Sequence, residues 1–176
     1  MDRRALFPLL ALPALAQYEE SKGEVPWVPS PNEVIDTLFR MAKVTAQDTV
    51  YDLGSGDGRV VIYAAKHFGA RGVGIEIEGH RVAEARTAAI AAGVVNRVRF
   101  IEQDAAQASI AGASVVFLYM YTSFMAKLKP KLLAELRPGT RVVAYQFNGM
   151  GDWKPRRVNN RHAHPGYLWI VPTRPA

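Results

Sequence analysis

Two hydrophobic rhythms alternate along this chain. Strand-like runs occupy positions 49–53, 72–77, 97–102, 113–120 and 140–147, and all but the charge-bearing 97–102 are largely apolar. Strands of that kind, with no polar face, are buried on both sides. Between them the apolar residues return every three or four positions, the spacing of a helix with one buried face. Val60, Val61, Ala64, Ala65 and Phe68 set a helix over 58–68. An alanine-rich stretch sets another over 79–92, with Gly93 as its stop. Leu128, Leu132, Leu133 and Leu136 face inward from a third over 122–136, ended by Pro138-Gly139. Val34, Ile35, Leu38, Phe39 and Ala42 form a further stripe ahead of the first strand, and Ser30 before Pro31, with Glu33 beyond, predicts a capping box at its start. A short helical piece is expected at 105–109.

Strand and helix in alternation define an α/β protein whose parallel sheet is covered on both faces. The ending breaks the rhythm. Residues 148–166 are rich in turn formers and basic side chains, and 167–171 read as a strand with no helix before it. A last strand arriving from a hairpin enters such a sheet antiparallel. The architecture expected is a Rossmann-like, doubly wound, mostly parallel seven-stranded sheet with an antiparallel C-terminal strand. No internal repeat or second domain shows, which leaves residues 31–176 as a single domain.

The first thirty residues are different in kind. Met1-Asp2-Arg3-Arg4 precedes an apolar run from Ala5 to Ala16, and Ala14-Leu15-Ala16 has the small-x-small form of a signal-peptidase site. Residues 1–16 therefore read as a signal peptide for export, and Arg3-Arg4 gives them a loose likeness to a twin-arginine signal. The alternative is a frayed leader or an upstream start on a cytoplasmic chain. The apolar run is too short to span a bilayer as a helix. Residues 17–30 are polar and then proline-punctuated, ending in Val25-Pro26-Trp27-Val28-Pro29-Ser30. Prolines so placed favour an extended, preorganised arm, which either lines a cleft or packs down as an arm.

Composition narrows the chemistry. The sequence has no cysteine, which excludes disulfides, thiolate metal sites and cysteine nucleophiles. Its histidines, His67, His80, His162 and His164, join no carboxylate–histidine cluster with metal-ligand spacing, so no metal is expected. The formal net charge is +6, and +5 once residues 1–16, with two arginines and one aspartate, are set aside. A mildly basic balance suits acidic partners without requiring one.

The candidate site is the turn from the first strand into the helix behind it, Asp52-Leu53-Gly54-Ser55-Gly56-Asp57-Gly58-Arg59. Glycine there lets the backbone take positive φ or come close to a ligand. The following helix is expected to point its N–H groups and positive dipole end over the loop. Ligands of open parallel sheets sit beyond the carboxyl ends of the strands, at the switch point beside the first one. A dinucleotide loop needs G-x-G-x-x-G, but here the third glycine comes one residue early and Arg59 stands in the last place. No Gly-Lys-Ser/Thr is present, which disfavours nucleoside triphosphates.

The run Asp52-x-Gly54-x-Gly56-x-Gly58 resembles motif I of the class I S-adenosylmethionine-dependent methyltransferases. That resemblance implies S-adenosyl-L-methionine as cofactor, with Asp52, Gly54, Ser55, Gly56, Asp57, Gly58, Glu76 and Asp104 as its binding residues. It puts Asp52 near the methionine amino group, Glu76 on the ribose hydroxyls and Asp104, after Gln103, on the adenine. Asp57 either contacts the methionyl end or caps the next helix. Further segments follow in order: Pro26-Trp27-Val28-Pro29-Ser30-Pro31, Val115-Val116-Phe117-Leu118-Tyr119, Leu128-Lys129-Pro130, Leu136-Arg137-Pro138-Gly139-Thr140-Arg141-Val142-Val143 and Gly151-Asp152-Trp153-x-Pro155. Together they are similar to one group of small protein-lysine methyltransferases, which includes the archaeal broad-specificity enzymes and the mitochondrial ATP synthase c-subunit enzymes. The likeness covers residues 25–158. Trp27 stands where that group usually has tyrosine, Ser30 where it usually has threonine, and Tyr145-Gln146-Phe147 replaces a segment that is often more acidic.

The resemblance implies a protein substrate with a lysine acceptor. Methyl transfer from a sulfonium is an in-line displacement of a group already activated, so the protein supplies position and desolvation. A lysine ammonium, with a free pKa of about 10.4, must first lose a proton, which burial among apolar and aromatic groups favours. Trp27, Tyr119 and Tyr121 are the candidates to line such a channel, with ordinary strand-end core as the plain alternative. Two other functions compete. Lys154, Arg156, Arg157, Arg161 and Arg174, set among Trp153, Tyr167 and Trp169, offer a basic face with stacking groups for nucleic acid, or else a solvated hairpin that protects a sheet edge. Tyr119-Met120-Tyr121-Thr122 stands where base-amino methyltransferases carry Asn/Asp-Pro-Pro-Tyr, which counts against the first. The other competitor is a non-catalytic exported binding protein that keeps the fold.

Overall fold

A computed structural model describes residues 28–173; the leader at 1–16, most of the proline arm including Trp27, and Arg174 lie outside the described residues. Seven strands form one sheet: β1 (Thr49–Leu53), β2 (Arg71–Glu76), β3 (Val98–Glu102), β4 (Val115–Leu118), β5 (Arg141–Tyr145), β6 (Arg157–Asn159) and β7 (Gly166–Ile170). Their order is β3-β2-β1-β4-β5-β7-β6. The first five run parallel, and β7 enters antiparallel to β5, with Val142 opposite Trp169 and Tyr145 opposite Gly166. Among the described residues four helices accompany them: α1 (Asn32–Met41), α2 (Arg59–Phe68), α3 (Gly79–Ala91) and α4 (Thr122–Glu135). This is the α/β, mostly parallel seven-stranded architecture expected from the alternating pattern, with its antiparallel C-terminal strand.

Period-two alternation sends neighbouring strand residues to opposite faces. Val50, Val115, Phe117, Val143 and Leu168 pack with Val34, Ile35, Leu38 and Phe39 of α1 and with Val60 and Ala64 of α2. Tyr51, Leu53, Val116, Leu118, Val142, Ala144 and Trp169 pack on the other side with Met125, Leu128 and Leu132 of α4. Among the described residues that second face carries one helix, and irregular chain with Ala108, Ile110 and Met150 packs beside it. A third cluster joins Val61 of α2, Val82, Ala85 and Ala89 of α3 and Phe100 of β3.

Several local expectations are corrected. No capping box forms: Pro31 is the extended cap residue of α1, and its carbonyl takes the N–H groups of Val34 and Ile35 at 3.0 and 3.1 Å. Ser30 is buried instead. The helical piece at 105–109 is a turn, in which the Asp104 carbonyl accepts from Gln107 and Ala108 and the buried residues, Ala108 and Ile110, fall two apart rather than three or four. Leu133 is only half buried while Leu128, Leu132 and Leu136 are fully so. Pro130 sits inside α4 but on its exposed side, where the loss of one helical backbone bond is least costly.

A polar network closes the amino ends of the strands, opposite the candidate site. Asp48 is buried and accepts from the Ser114 hydroxyl at 2.7 Å, the Thr45 amide at 2.8 Å and the Arg141 guanidinium. Burial by itself would raise the Asp48 carboxyl, but the Ser114, Arg141 and Thr45 bonds outweigh it and hold the group below its ordinary value. Asp48→Ala removes the carboxylate shared by the Ser114 hydroxyl, the Thr45 amide and the Arg141 guanidinium, leaving Arg141 only backbone carbonyls such as Ala42 and Lys43 as partners. It is expected to lower the unfolding free energy by about 2–4 kcal/mol, read by urea denaturation.

Candidate active site

The carboxyl ends of β1, β2, β3 and β4 open on a cavity of about 420 Å³. Its walls come from the loop after each of these strands, from the first turns of α2, α3 and α4, and from Val28, Pro29 and Ser30, the described end of the proline arm. Of the residues singled out in the sequence, Asp52, Gly54, Ser55, Asp57, Glu76, Asp104 and Tyr119 all line it. Gly56 and Gly58 shape the loop without lining the cavity, and Tyr121 stands outside it, its ring edge-on to Phe147 at 5.3 Å.

The glycine loop turns because its residues take left-handed backbone. Gly54 has φ of +82°, and a side chain there would meet only Met120 Cε, at 3.9 Å, so backbone conformation rather than space demands glycine. At Gly58 both apply: φ is +79°, and a Cβ would lie 2.6 Å from the Phe100 ring. Four amides of the loop are committed within the protein. Gly54 and Ser55 donate to the Ile75 carbonyl at 2.8 and 2.9 Å, and Gly58 donates to Ser55. Gly56 donates to the Glu76 carboxylate at 2.8 Å. Arg59, first residue of α2, gives its N–H to Asp57 at 3.2 Å. Amides so committed do not form a phosphate cradle.

Four carboxyls, those of Asp52, Asp57, Glu76 and Asp104, stand in a wall that is otherwise largely apolar. Glu76 is buried at the end of β2, with Oε2 on the Gly56 amide and Oε1 on the Glu78 amide at 3.0 Å, so each oxygen keeps a lone pair in reserve. Asp57 pairs with the Arg59 guanidinium, Nη2 to Oδ2 at 2.6 Å, and the Arg81 guanidinium is turned to Glu78 at 3.1 Å. Asp104 fixes its own turn by accepting the Ala106 amide at 2.8 Å. Asp52 is the most perturbed. Burial first, then the nearby charges of Glu76 and Asp57, push its carboxyl up to about 8. Beside it the Ser55 hydroxyl is buried with no hydrogen-bond partner.

Aromatic residues take over where β4 and β5 end. The Tyr119 ring lies 5.2 Å from that of Tyr145 and 6.2 Å from that of Phe147, and its hydroxyl donates to Gln146 Oε1 at 3.1 Å. Sequence reasoning missed Ile77, 65% exposed on the cavity just past Glu76, and Phe124 in the first turn of α4. An apolar residue directly after a strand-end acid was the available signal for Ile77; nothing in the pattern distinguished Phe124 from core.

A ligand matched to this cavity is a nucleoside with a polar, positively charged end rather than a phosphate. The buried acids suit cations, the hydroxyl of Ser55 lacks a partner, and the amides of Gly54, Ser55, Gly56 and Gly58 are already engaged. S-adenosylmethionine fits these residues, and fold and site together define a class I S-adenosylmethionine-dependent methyltransferase. Residues 52–157 match the ANTKMT methyltransferase domain, and the chain belongs to that family. It is 40% identical over 152 residues to a protein-lysine N-methyltransferase of Saccharolobus islandicus, covering 84% of this chain and 94% of that protein. It is 35% identical to the ATP synthase c-subunit lysine N-methyltransferase of Mus musculus, over 70% of this chain but only 49% of that longer protein. The crystal structure of an RNA methyltransferase from Salinibacter ruber in complex with S-adenosyl-L-homocysteine superposes with a TM-score of 0.82 at 45% identity, covering 85% of this chain and 97% of that one.

A carboxyl whose folded pKa is raised binds its proton more tightly in the folded than in the unfolded chain. The stability it contributes is present at low pH and declines as pH rises from the ordinary carboxylate range to about 8. Asp52→Asn removes that decline. Thermal melts of the ligand-free chain are expected to show the variant more stable than the parent at pH 8–9 and similar to it at pH 4. Donor affinity, read by calorimetry, is expected to fall in the same variant.

Proposed function

We propose that this chain transfers methyl groups from S-adenosyl-L-methionine to lysine side-chain amines of a protein substrate. The reading is carried by Tyr119, which lines the same cavity as Asp52 and Glu76 and is flanked by the rings of Tyr145 and Phe147. The Saccharolobus islandicus relative, named for protein lysine and matched over nearly its whole length, supports it. In this reading Glu76 receives the ribose hydroxyls on the lone pairs its two amide partners leave open. Asp52 faces the methionine amino group, Asp104 the adenine, and Tyr119 walls the acceptor channel, with Trp27 from the arm and Tyr121 one ring farther out behind Phe147.

Bound there, S-adenosyl-L-methionine supplies a methyl group already activated by its positively charged sulfur. The lysine amine is the nucleophile. As its nitrogen bonds to the methyl carbon, the carbon–sulfur bond breaks with its electron pair leaving on sulfur, and the methylammonium formed gives its proton to water. No side chain has to bond covalently to the methyl group. The chain orients the amine in line, keeps water out and, through apolar rings, favours the neutral amine over the ammonium.

The name of the Salinibacter ruber structure makes RNA the competing acceptor, and Arg156, Arg157 and Arg161 are exposed on the C-terminal hairpin side. Incubation with methyl-labelled donor and cell extract separates the two. Label is expected to survive nuclease, to be released by protease and to appear as methyllysine after acid hydrolysis; label lost to nuclease alone would overturn the lysine reading. Glu76→Ala is expected to lower donor affinity at least tenfold, about 1.4 kcal/mol or more, with the circular dichroism spectrum unchanged. Residues 1–16 we read as an export signal, with a cytoplasmic chain as the alternative. Sequencing the mature N-terminus distinguishes them, a start at Gln17 favouring export.

A further inference from the structure

The chain bends sharply just beyond β5. Gln146 has φ of 68°, and the only other positive-φ residue that is not glycine among the described residues is Lys43. The Phe147 amide closes onto the Tyr145 carbonyl at 2.8 Å, making a γ-turn about Gln146, while the Gln146 amide donates to Pro165 at 2.7 Å. With positive φ this is the strained form of the turn, and a side chain makes it costlier still. The sheet does not require it, because pairing of β5 with β4 ends at Ala144 and with β7 at Tyr145.

What the turn achieves is an arrangement of rings. Residues two apart on a strand share a face, yet Tyr145 belongs to the core on the α1 and α2 side while Phe147 packs against the core on the α4 side. The bend carries Phe147 across the end of the sheet. Tyr119, one residue past β4, therefore has a ring on either hand, at 5.2 and 6.2 Å. Gln146, at the apex, sends its carboxamide oxygen back to the Tyr119 hydroxyl at 3.1 Å. Ring and hydroxyl are both held.

A carboxamide oxygen can only accept, so the phenol donates its one proton to it and keeps its remaining lone pair capacity for something else. Burial, with Tyr145 and Tyr121 beside it, holds the Tyr119 phenol above its ordinary value, so the proton stays on. We propose that Gln146 is a positioning residue that fixes the Tyr119 hydroxyl as an acceptor for an N–H of the incoming lysine amine. The bond steers the amine's lone pair toward the methyl carbon and leaves the amine neutral. This rests on the lysine reading above.

The test uses the full chain, labelled S-adenosyl-L-methionine and bulk cell-extract protein, with methyllysine as the product measured. Gln146→Met keeps the length and loses the acceptor; its rate at saturating donor is expected to fall at least tenfold, with the donor KM changed less than twofold. Gln146→Glu keeps an acceptor oxygen and is expected to stay within threefold of the parent. Gln146→Gly relieves the backbone and drops the acceptor, so its melting temperature is expected to rise while its rate falls as in Gln146→Met. A parent that makes methyllysine alongside an equally active Gln146→Met overturns the inference alone. So does a rate loss in Gln146→Gly that accompanies a lowered melting temperature, since that marks a structural role. A parent that labels nucleic acid and no lysine overturns both the inference and the reading beneath it.

Discussion

The carboxylate of Glu76 ties three pieces of chain together. One oxygen holds the Gly56 amide and the other the Glu78 amide, so the glycine loop, the end of β2 and the approach to α3 are fixed by a single buried side chain. A buried carboxylate is tolerated when hydrogen bonds satisfy it, and these two amides do so without using up its accepting capacity. Asp52, on the neighbouring strand with Gly74 beside it in register, then lies against a negative charge that cannot swing away. Its elevated proton affinity follows first from burial and then from that neighbouring charge. The acid at the end of β2 is thus held in one place on the cavity wall.

The same region depends on atoms that are missing. A Cβ on Gly74 would lie 2.5 Å from the Phe100 ring and 2.6 Å from the Ser55 hydroxyl; one on Gly58 would lie 2.6 Å from the same ring and 2.9 Å from the Ala85 methyl. Phe100 fills both spaces, so the start of α2 settles directly onto β2 and β3. Glycine in a strand usually weakens it, and here it marks such a close backbone approach. Loop curvature and core packing are thus one constraint, expressed through a single aromatic side chain.

Element type was legible wherever the hydrophobic period was unambiguous: the uninterrupted strands, α1 with its stripe, and the late strand that entered antiparallel. The acids that line the cavity were legible too, because position at a strand end fixes where a side chain must go. What the pattern concealed were features set by contacts across the fold. Ser30 reads as a cap but is drawn into the protein by the arm, and 105–109 reads as helix until Ala108 and Ile110 are pulled onto the sheet together. Tyr121 resembles Tyr119 in sequence but belongs one ring farther out. The turn at Gln146 left no trace at all, since nothing in Tyr145-Gln146-Phe147 announces positive φ.

The sheet's two margins have a bearing on how this chain lives among other polypeptides. β3 presents Arg99 and Glu102 to solvent, and β6 is three residues long and led by exposed Arg157. Short, charged borders are poor templates for an added strand. Extended chains in its surroundings find little to zip onto, and two copies gain little by joining sheet to sheet. Once folded, the seven-stranded sheet therefore keeps its long apolar strands in the interior and offers only short or charged borders to other backbones.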